Sequence, residues 1–359
     1  MTEKVLMKGN EAFAEAAIRC GCRYYFGYPI TPQNELTEYM SRELHKAGGA
    51  FVQAESELAA VNMAYGGAVA GGRVLISSSS PGIALMQEGF SFLASTELPL
   101  VILNVSRGGP GVGSIQPGQA DYYQATRGGG NGDYHLIVYA PSSIQEAVDM
   151  MEKAFSVADE YRNPVMILAD GMLGQMMEPV ILPEPLKAVD IDDISKAKPW
   201  ALTGTKEARP HNVIKSLYLK PELLENNLRK LKEKYDKAKE ALVEYSKSNL
   251  EDADVVFVAY GSTARIVEEA IEILEKDGIK AGLIRPVTLW PFPYAAFDEI
   301  DPETKLLISV ELSQGQMIDD VKIGSKGRYP VTLSGRTGGI LITPSEVAQD
   351  AKKALEVIK

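Results

Sequence analysis

Cysteine is almost missing from this sequence. The 359-residue chain has two, Cys20 and Cys22, and their C-G-C spacing is too short for the C-x-x-C turn that metal and dithiol sites favour. An ordinary iron–sulfur cluster needs four thiolates, so any such cluster must sit on another chain. Histidine is equally scarce. His45, His135 and His211 lie far apart, without the paired spacing of a zinc site, and read as surface or core residues. Long apolar runs are missing too: no stretch approaches the roughly 20 residues that span a bilayer, and Met1 to Asn10 has none behind it. Positive charge is in deficit, with 37 Lys and Arg against 48 Asp and Glu, a net charge of −11 and a pI near 5.0. Phosphate backbones and anionic bilayers reward clustered basic residues, so neither is an expected partner. These absences predict a soluble, cytoplasmic protein that binds no nucleic acid and no membrane.

What remains is globular composition, 45% hydrophobic and 24% charged, which excludes disordered, collagen-like and disulfide-rich chains. At roughly 150 residues per domain, the length predicts two domains, or one large and one small. From Glu11 to about Asp170, helical and extended signals alternate. Asn10 precedes an amphipathic run ending at Gly21, Arg23 to Gly27 is extended, and Thr31-Pro32 opens a second helix. Ser56 to Ala70, Pro81 to Ala94 and a helix capped by Ser142 and Ser143 alternate with short strands at Phe51, Val74, Leu98 and Val165. Continuously apolar strands between helices indicate a doubly wound parallel sheet covered on both faces.

Four prolines, Pro179, Pro183, Pro185 and Pro199, then break the chain into loops. Leu224, Leu228, Leu231, Tyr235, Ala238, Leu242 and Tyr245 follow on alternating four and three spacings, an a/d seam on a charged helix that reads as a packed linker arm. A second α/β unit starts near Asp254, with strands at Val255, Ala281 and Leu306 and a terminal helix from Pro344 to Lys359.

Three segments carry candidate chemistry. Tyr28-Pro29-Ile30-Thr31-Pro32 ends a strand; its prolines stiffen the turn, Thr31 suits an N-cap, and a helix N-terminus offers N–H groups to a carboxylate. Taken alone, a plain capped helix is the simpler reading. Glu55-Ser56-Glu57 enters an Ala- and Gly-rich helix, where either glutamate taken singly is explained by the helix dipole. Arg107-Gly108-Gly109-Pro110-Gly111-Val112-Gly113 follows an apolar strand. It lacks the G-x-G-x-x-G spacing of a dinucleotide loop and is interrupted by Pro110, so it does not read as an NAD site. A loop with one Arg suits a carboxylate, and a plain surface loop explains it as well.

Together, Y-P-I-T-P, E-S-E-L-A-A ahead of Gly66, S-S-S-S-P-G and N-V-S-R-G-G-P resemble the alpha subunit of 2-oxoacid:ferredoxin oxidoreductases, and the resemblance covers nearly the whole chain. It implies a pyrimidine-binding thiamine diphosphate domain over residues 1–180, a linker with a helical arm over 181–252, and a smaller transketolase C-terminal-like α/β domain over 253–359. Gly108 to Gly113 and Gly128-Gly129-Gly130-Asn131-Gly132-Asp133-Tyr134 look most like the branched-chain, 2-oxoisovalerate branch.

The resemblance also implies an active site shared between chains. A beta subunit would hold the pyrophosphate and Mg²⁺, while this chain grips the aminopyrimidine. Asp170-Gly171, its nearest approach to a pyrophosphate motif, has no paired Asn after it and reads as a strand end. Glu57, rather than Glu55, would hydrogen-bond the pyrimidine N1′, its carboxylate desolvated among small residues. Tyr28, Pro29, Ser80, Pro81 and Gly82 complete the implied cofactor contacts. Thr31 and Arg107 would orient the substrate, with Gln119 and Asp121 beside them. Coenzyme A is the implied co-substrate. [4Fe–4S] clusters on a ferredoxin-like subunit, a gamma subunit and ferredoxin as acceptor complete the implied assembly.

The loop Gly113-Ser114-Ile115-Gln116-Pro117-Gly118-Gln119 has no basic residue to pair the distal carboxylate of 2-oxoglutarate, and burying that charge unpaired costs several kcal/mol. An apolar, branched 2-oxoacid is therefore expected, although Arg127 could reach in, and 2-oxoglutarate or pyruvate remain alternatives. Two further readings stay open. A ferredoxin-independent decarboxylase or dehydrogenase subunit would purify without iron. A non-catalytic organising subunit would stay active as Glu57→Ala.

Overall fold

A computed structural model describes residues 4–187, 191–205 and 207–358. The first part runs β1 (Val5–Lys8), α1 (Gly9–Arg19), β2 (Tyr24–Gly27), α2 (Asn34–Glu43), β3 (Ala50–Gln53), α3 (Glu57–Val69), β4 (Val74–Ser78) and α4 (Ser80–Ser95). It continues through β5 (Leu100–Ser106), α5 (Tyr122–Arg127), β6 (Ile137–Tyr139), α6 (Ile144–Tyr161), β7 (Pro164–Asp170), α7 (Gly171–Gln175) and β8 (Met177–Val180). Then come α8 (Ile191–Ala197), α9 (Pro221–Ala241), β9 (Tyr245–Ser248), β10 (Val255–Ala259), α10 (Ser262–Lys276), β11 (Ala281–Pro286), β12 (Thr288–Trp290), β13 (Leu306–Glu311), α11 (Met317–Ser325), β14 (Val331–Gly335) and α12 (Pro344–Ile358). Lys359, to which the terminal helix was expected to run, and Met1 to Glu3 lie outside the described residues.

The larger sheet has seven strands in the order β12–β6–β7–β5–β4–β2–β3, all parallel except the β12–β6 edge pair. Every residue of β5 and β7 is buried, as expected for strands covered on both sides. The crossovers place α1, packed on both α2 and α6, on one face and the α3–α4 pair on the opposite face. The order reverses at β2, so the turns after β2, β4 and β5 converge at the carboxyl edge where open sheets bind ligands. Among the described residues no helix is long and apolar enough to cross a membrane.

The second sheet has five strands, β14–β13–β10–β11–β9, with β9 antiparallel at its edge. That strand falls inside the stretch expected to be linker. β12, two residues after β11, leaves this sheet for the edge of the first. The expected heptad seam is only partly a helix: α9 ends at Ala241 and Tyr245 opens β9. Leu231, Tyr235 and Ala238 are buried against the body, while Leu224 is exposed. The seam is therefore an anchor over its second half. Tyr235 meets Trp290 edge-on, and His135 stacks on Trp290 at 4.4 Å. Burial in that aromatic cluster lowers His135 to about 4. Burial likewise raises the Cys20 and Cys22 thiols to about 12, leaving neither poised as a thiolate.

Polar bridges join the two sheets. Tyr122 and Arg127 donate to Asp320 at 2.6 and 2.8 Å. The Gln316 amide donates to Ala120 O at 2.8 Å and accepts from Tyr123 N at 2.8 Å. Arg285 forms a fork onto Glu146 with both bonds at 2.9 Å. Buried Glu311 accepts from Gln316 N, Met317 N and Ile318 N, capping α11 beside this junction.

Candidate active site

The turn after β2 is held by its carbonyls. Arg107 Nη1 donates to Thr31 O at 2.8 Å, while Asn10 and Gln175 donate to Pro32 O at 2.7 and 3.0 Å. These bonds keep Thr31-Pro32 in a turn, so the expected helix start there is corrected: α2 opens at Asn34, with Gln33 in the cap position. Thr31 is not an N-cap; its hydroxyl accepts only a long 3.4 Å bond from Asn34. Tyr28 and Pro29 are exposed.

Ser56 caps α3 by accepting from Ala59 N at 3.1 Å, and this places Glu57 in the first turn. Glu57 is 6% exposed and, among the described residues, has no hydrogen-bond partner. Glu55 is exposed. The Glu57 carboxylate lies against α4 where that helix begins with Ser80, Pro81 and Gly82. A Cβ at Gly82 would come within 2.5 Å of Glu57 Oε1 and would also strike the Ser78 hydroxyl. A larger residue here would displace the Glu57 carboxylate or the Ser78 hydroxyl. Ser80 faces the next loop and accepts from Arg107 N at 3.0 Å.

Arg107 is buried without a carboxylate within ion-pairing distance among the described residues. Its Nη1 and Nη2 donate to Thr31 O and Val112 O, both at 2.8 Å, which ties the glycine-rich loop to the turn after β2. Its Nε is buried and unpartnered. The two-pronged Nη grip expected for a carboxylate is thus already engaged by carbonyls, and the Nε edge is what remains for a ligand.

Gln119 does not join this group, whereas Asp121 lies within reach of Ser80, Ser106 and Arg107. Gln119 donates to Tyr260 O at 2.9 Å and accepts from Leu312 N and Thr263 Oγ1. Both ends of the amide are taken up in the junction between the sheets. The Asp121 carboxylate accepts from Asn104 Nδ2 at 2.8 Å, and burial raises its pKa against the pull of Arg107 and neighbouring donors. Asp170 ends β7 as expected. It caps α7 through Met172 N and Leu173 N and receives the Ser262 hydroxyl.

Sequence reasoning passed over the loop Arg336-Thr337-Gly338-Gly339-Ile340-Leu341, which crosses from the second sheet to the site. Gly338 and Gly339 take φ of 70° and 94°, and a Cβ on Gly108 would meet their backbone at 3.0 Å. The paired glycines after a strand were the available signal. Asn10 and Gln175, which fix the turn, carried none.

A carboxylate and a guanidinium atom, both buried and both unpartnered, therefore flank one edge of a sheet. That donor set fits an aminopyrimidine nitrogen at Glu57 and a carboxylate at Arg107. Residues 15–247 match the family described as pyruvate flavodoxin/ferredoxin oxidoreductase, thiamine diphosphate-binding, and residues 253–347 match pyruvate:ferredoxin oxidoreductase core domain II. The chain is 47% identical to ketoisovalerate oxidoreductase subunit VorB of Methanothermobacter marburgensis, over 97% of each chain. It is 34% identical to 2-oxoglutarate synthase subunit KorA of the same organism, over 97% of this chain and 98% of that one. Among solved structures, 2-oxoglutarate:ferredoxin oxidoreductase from Magnetococcus marinus, with 2-oxoglutarate, coenzyme A and succinyl-CoA bound, superimposes with a TM-score of 0.86 at 28% identity. That match covers 99% of this chain and 66% of that chain. The chain belongs to the thiamine diphosphate-binding pyruvate flavodoxin/ferredoxin oxidoreductase family and is a subunit of a 2-oxoacid:ferredoxin oxidoreductase.

Proposed function

We propose that this chain is the alpha subunit of a coenzyme A-acylating 2-oxoisovalerate:ferredoxin oxidoreductase, which forms an acyl-CoA, carbon dioxide and reduced ferredoxin. The observation that carries the reading is Glu57, nine-tenths buried and unpartnered at the first turn of α3. When bound, thiamine diphosphate supplies the nucleophilic carbon for the 2-oxo group and the electron sink for decarboxylation. Glu57 holds a proton at the pyrimidine N1′. The Arg107 Nε edge and the Thr31 hydroxyl fix the substrate carboxylate, and the loop from Gly108 to Pro117 screens them from solvent.

The branched-chain preference rests on the VorB relatives at 45% and 47% identity, against 33% to 36% for KorA relatives. The loop without a basic residue points the same way. Residues 1–180 act as the pyrimidine-binding unit and 253–359 as the transketolase C-terminal-like unit, joined by the 181–252 arm. A beta subunit brings the pyrophosphate and Mg²⁺ site, a gamma subunit and a [4Fe–4S] cluster subunit complete a cytoplasmic assembly, and ferredoxin accepts the electrons. Native purification with thiamine, iron and subunit analysis, followed by steady-state rates on 2-oxoisovalerate, pyruvate and 2-oxoglutarate, tests this. A complex without iron, or a dominant kcat/KM for 2-oxoglutarate, overturns it.

A further inference from the structure

Beside Thr31 an open cavity of about 580 Å³ runs to the surface, lined on its apolar side by Pro32, Ile115, Pro117, Met172, Met176 and Leu341. Its walls come from both sheets. Ile115 rides on the loop after β5, which Arg107 ties to the turn carrying Thr31. Leu341 comes from the loop between β14 and α12, rooted in the second sheet. The two loops touch tightly: a Cβ on Gly339 would strike the Gln116 side chain and reach Ser114 Oγ at 2.9 Å. Ile115 is 59% exposed and Leu341 39% exposed, and both line the same opening.

Glu35 is the charged side chain lining this cavity. Asn10 and Gln175 donate to its Oε2, and Lys8 approaches its Oε1, so its negative charge is held in place. It repels a second carboxylate entering the cavity, whereas an alkyl group can lie on the side lined by Ile115, Pro117 and Leu341.

We infer that Ile115 and Leu341 form the wall that receives the substrate's alkyl branch, so that part of the substrate preference is set by the second domain. The inference rests on the proposed 2-oxoacid site at Thr31 and Arg107. The substrate carboxylate is held at Thr31, and the carbon chain extends from there along the aliphatic wall. Discrimination by an apolar wall is modest, about tenfold to two-hundredfold per group. A single Lys in that wall gives a distal carboxylate the partner it lacks.

The test uses the assembled enzyme carrying Leu341→Ala, Leu341→Lys or Gly339→Ala, with kcat/KM measured on 2-oxoisovalerate, pyruvate, a longer branched 2-oxoacid and 2-oxoglutarate. Leu341→Lys is expected to lower 2-oxoisovalerate about tenfold or more relative to pyruvate, whose methyl group stops short of the wall, and to raise 2-oxoglutarate. Leu341→Ala is expected to shift preference toward the longer branched acid. Gly339→Ala, which separates the loops, is expected to flatten the ranking. An equal change on all four acids, or none, overturns the inference, because a wall that touches no substrate cannot re-rank them. If the unsubstituted enzyme proves to favour 2-oxoglutarate, the proposed substrate falls, while the re-ranking by Leu341→Lys still decides this inference. Thermal melting of each variant identifies any that misfold, and Ile115→Ala then supplies the same comparison from the other loop.

Discussion

The two faces of the larger sheet carry helices of opposite character. On one face α6 buries Ile144, Ala147, Val148, Met151, Ala154 and Phe155 and turns Asp149, Glu152, Ser156 and Glu160 outward, as a solvated helix does. On the other face Glu57 is the one charged residue of α3 and Glu88 the one charged residue of α4. Their outer surface presents Leu58, Met63, Leu85 and Phe92. Large apolar side chains exposed on neighbouring helices contrast with the charged outer face of α6. Glu57, at the start of α3, belongs to this second face. The comparison separates a layer finished for solvent from an apolar layer that carries Glu57 and that we expect another subunit to cover.

Breaking the reactive end of the second layer has the largest expected effect. Glu57→Gln in the assembled enzyme lowers turnover by about two or more orders of magnitude while leaving assembly intact, as loss of a proton-transfer partner does. Glu55→Gln, on an exposed side chain, changes little. Rates on purified complexes check both, and the reverse ranking sinks the assignment.

Next in size is the cover itself. Met63→Asp with Leu85→Asp places charges on the apolar face and is expected to weaken association with the other subunits about a hundredfold, since unpaired burial costs several kcal/mol. A matched Ser156→Asp change on α6 leaves association unaltered. Native mass spectrometry of the co-expressed subunits distinguishes the two faces, and equal effects erase the comparison. A related expectation is that the isolated chain, lacking pyrophosphate and metal ligands, binds thiamine diphosphate weakly. Tight Mg²⁺-dependent binding in equilibrium dialysis of this chain alone would count against a shared site.

The smallest effect tests neither helical layer but the aromatic anchor of α9, through pH. Burial lowers the His135 pKa from its ordinary 6.5 to about 4, so the folded chain binds this proton less readily than the unfolded one. The stability tied to neutral His135 is present above pH 6.5 and drains away as pH falls through about 4. His135→Phe keeps the stack on Trp290 and removes the titration. Its Tm is expected to fall by a few degrees less than the parent's between pH 7 and pH 5. Parallel curves would show that the histidine is not the source.

Elements with strong local signals were legible in the sequence. The strands after Val74, Leu98 and Val165 and the helix capped by Ser143 follow from apolar runs and a cap residue, which act over a few neighbours. Glu57 was separable from Glu55 by resemblance, and burial then separates them physically. What escaped depends on distant partners. Thr31-Pro32 reads as a helix start until Asn10, Gln175 and Arg107, from three other elements, claim the adjoining carbonyls. Gln119 looks like a polar site residue until Tyr260, Thr263 and Leu312 saturate it. The three-residue β12 has too little pattern to announce which sheet it joins, and the paired glycines of the Leu341 loop mark a turn without saying that it reaches Thr31.

The excursion of β12 reaches beyond sheet geometry. After Pro286 the chain crosses to the first sheet for Thr288–Trp290 and returns to the second at Leu306. Two building blocks that share a thread in this way are sewn together rather than strung in line. No single scission yields two complete halves: a cut before Val255 strips the first sheet of its border, and a cut after Trp290 leaves β13 and β14 on the wrong fragment. Gene fission or modular exchange at this junction would first require the border strand to be replaced, which favours inheritance of both blocks as one reading frame.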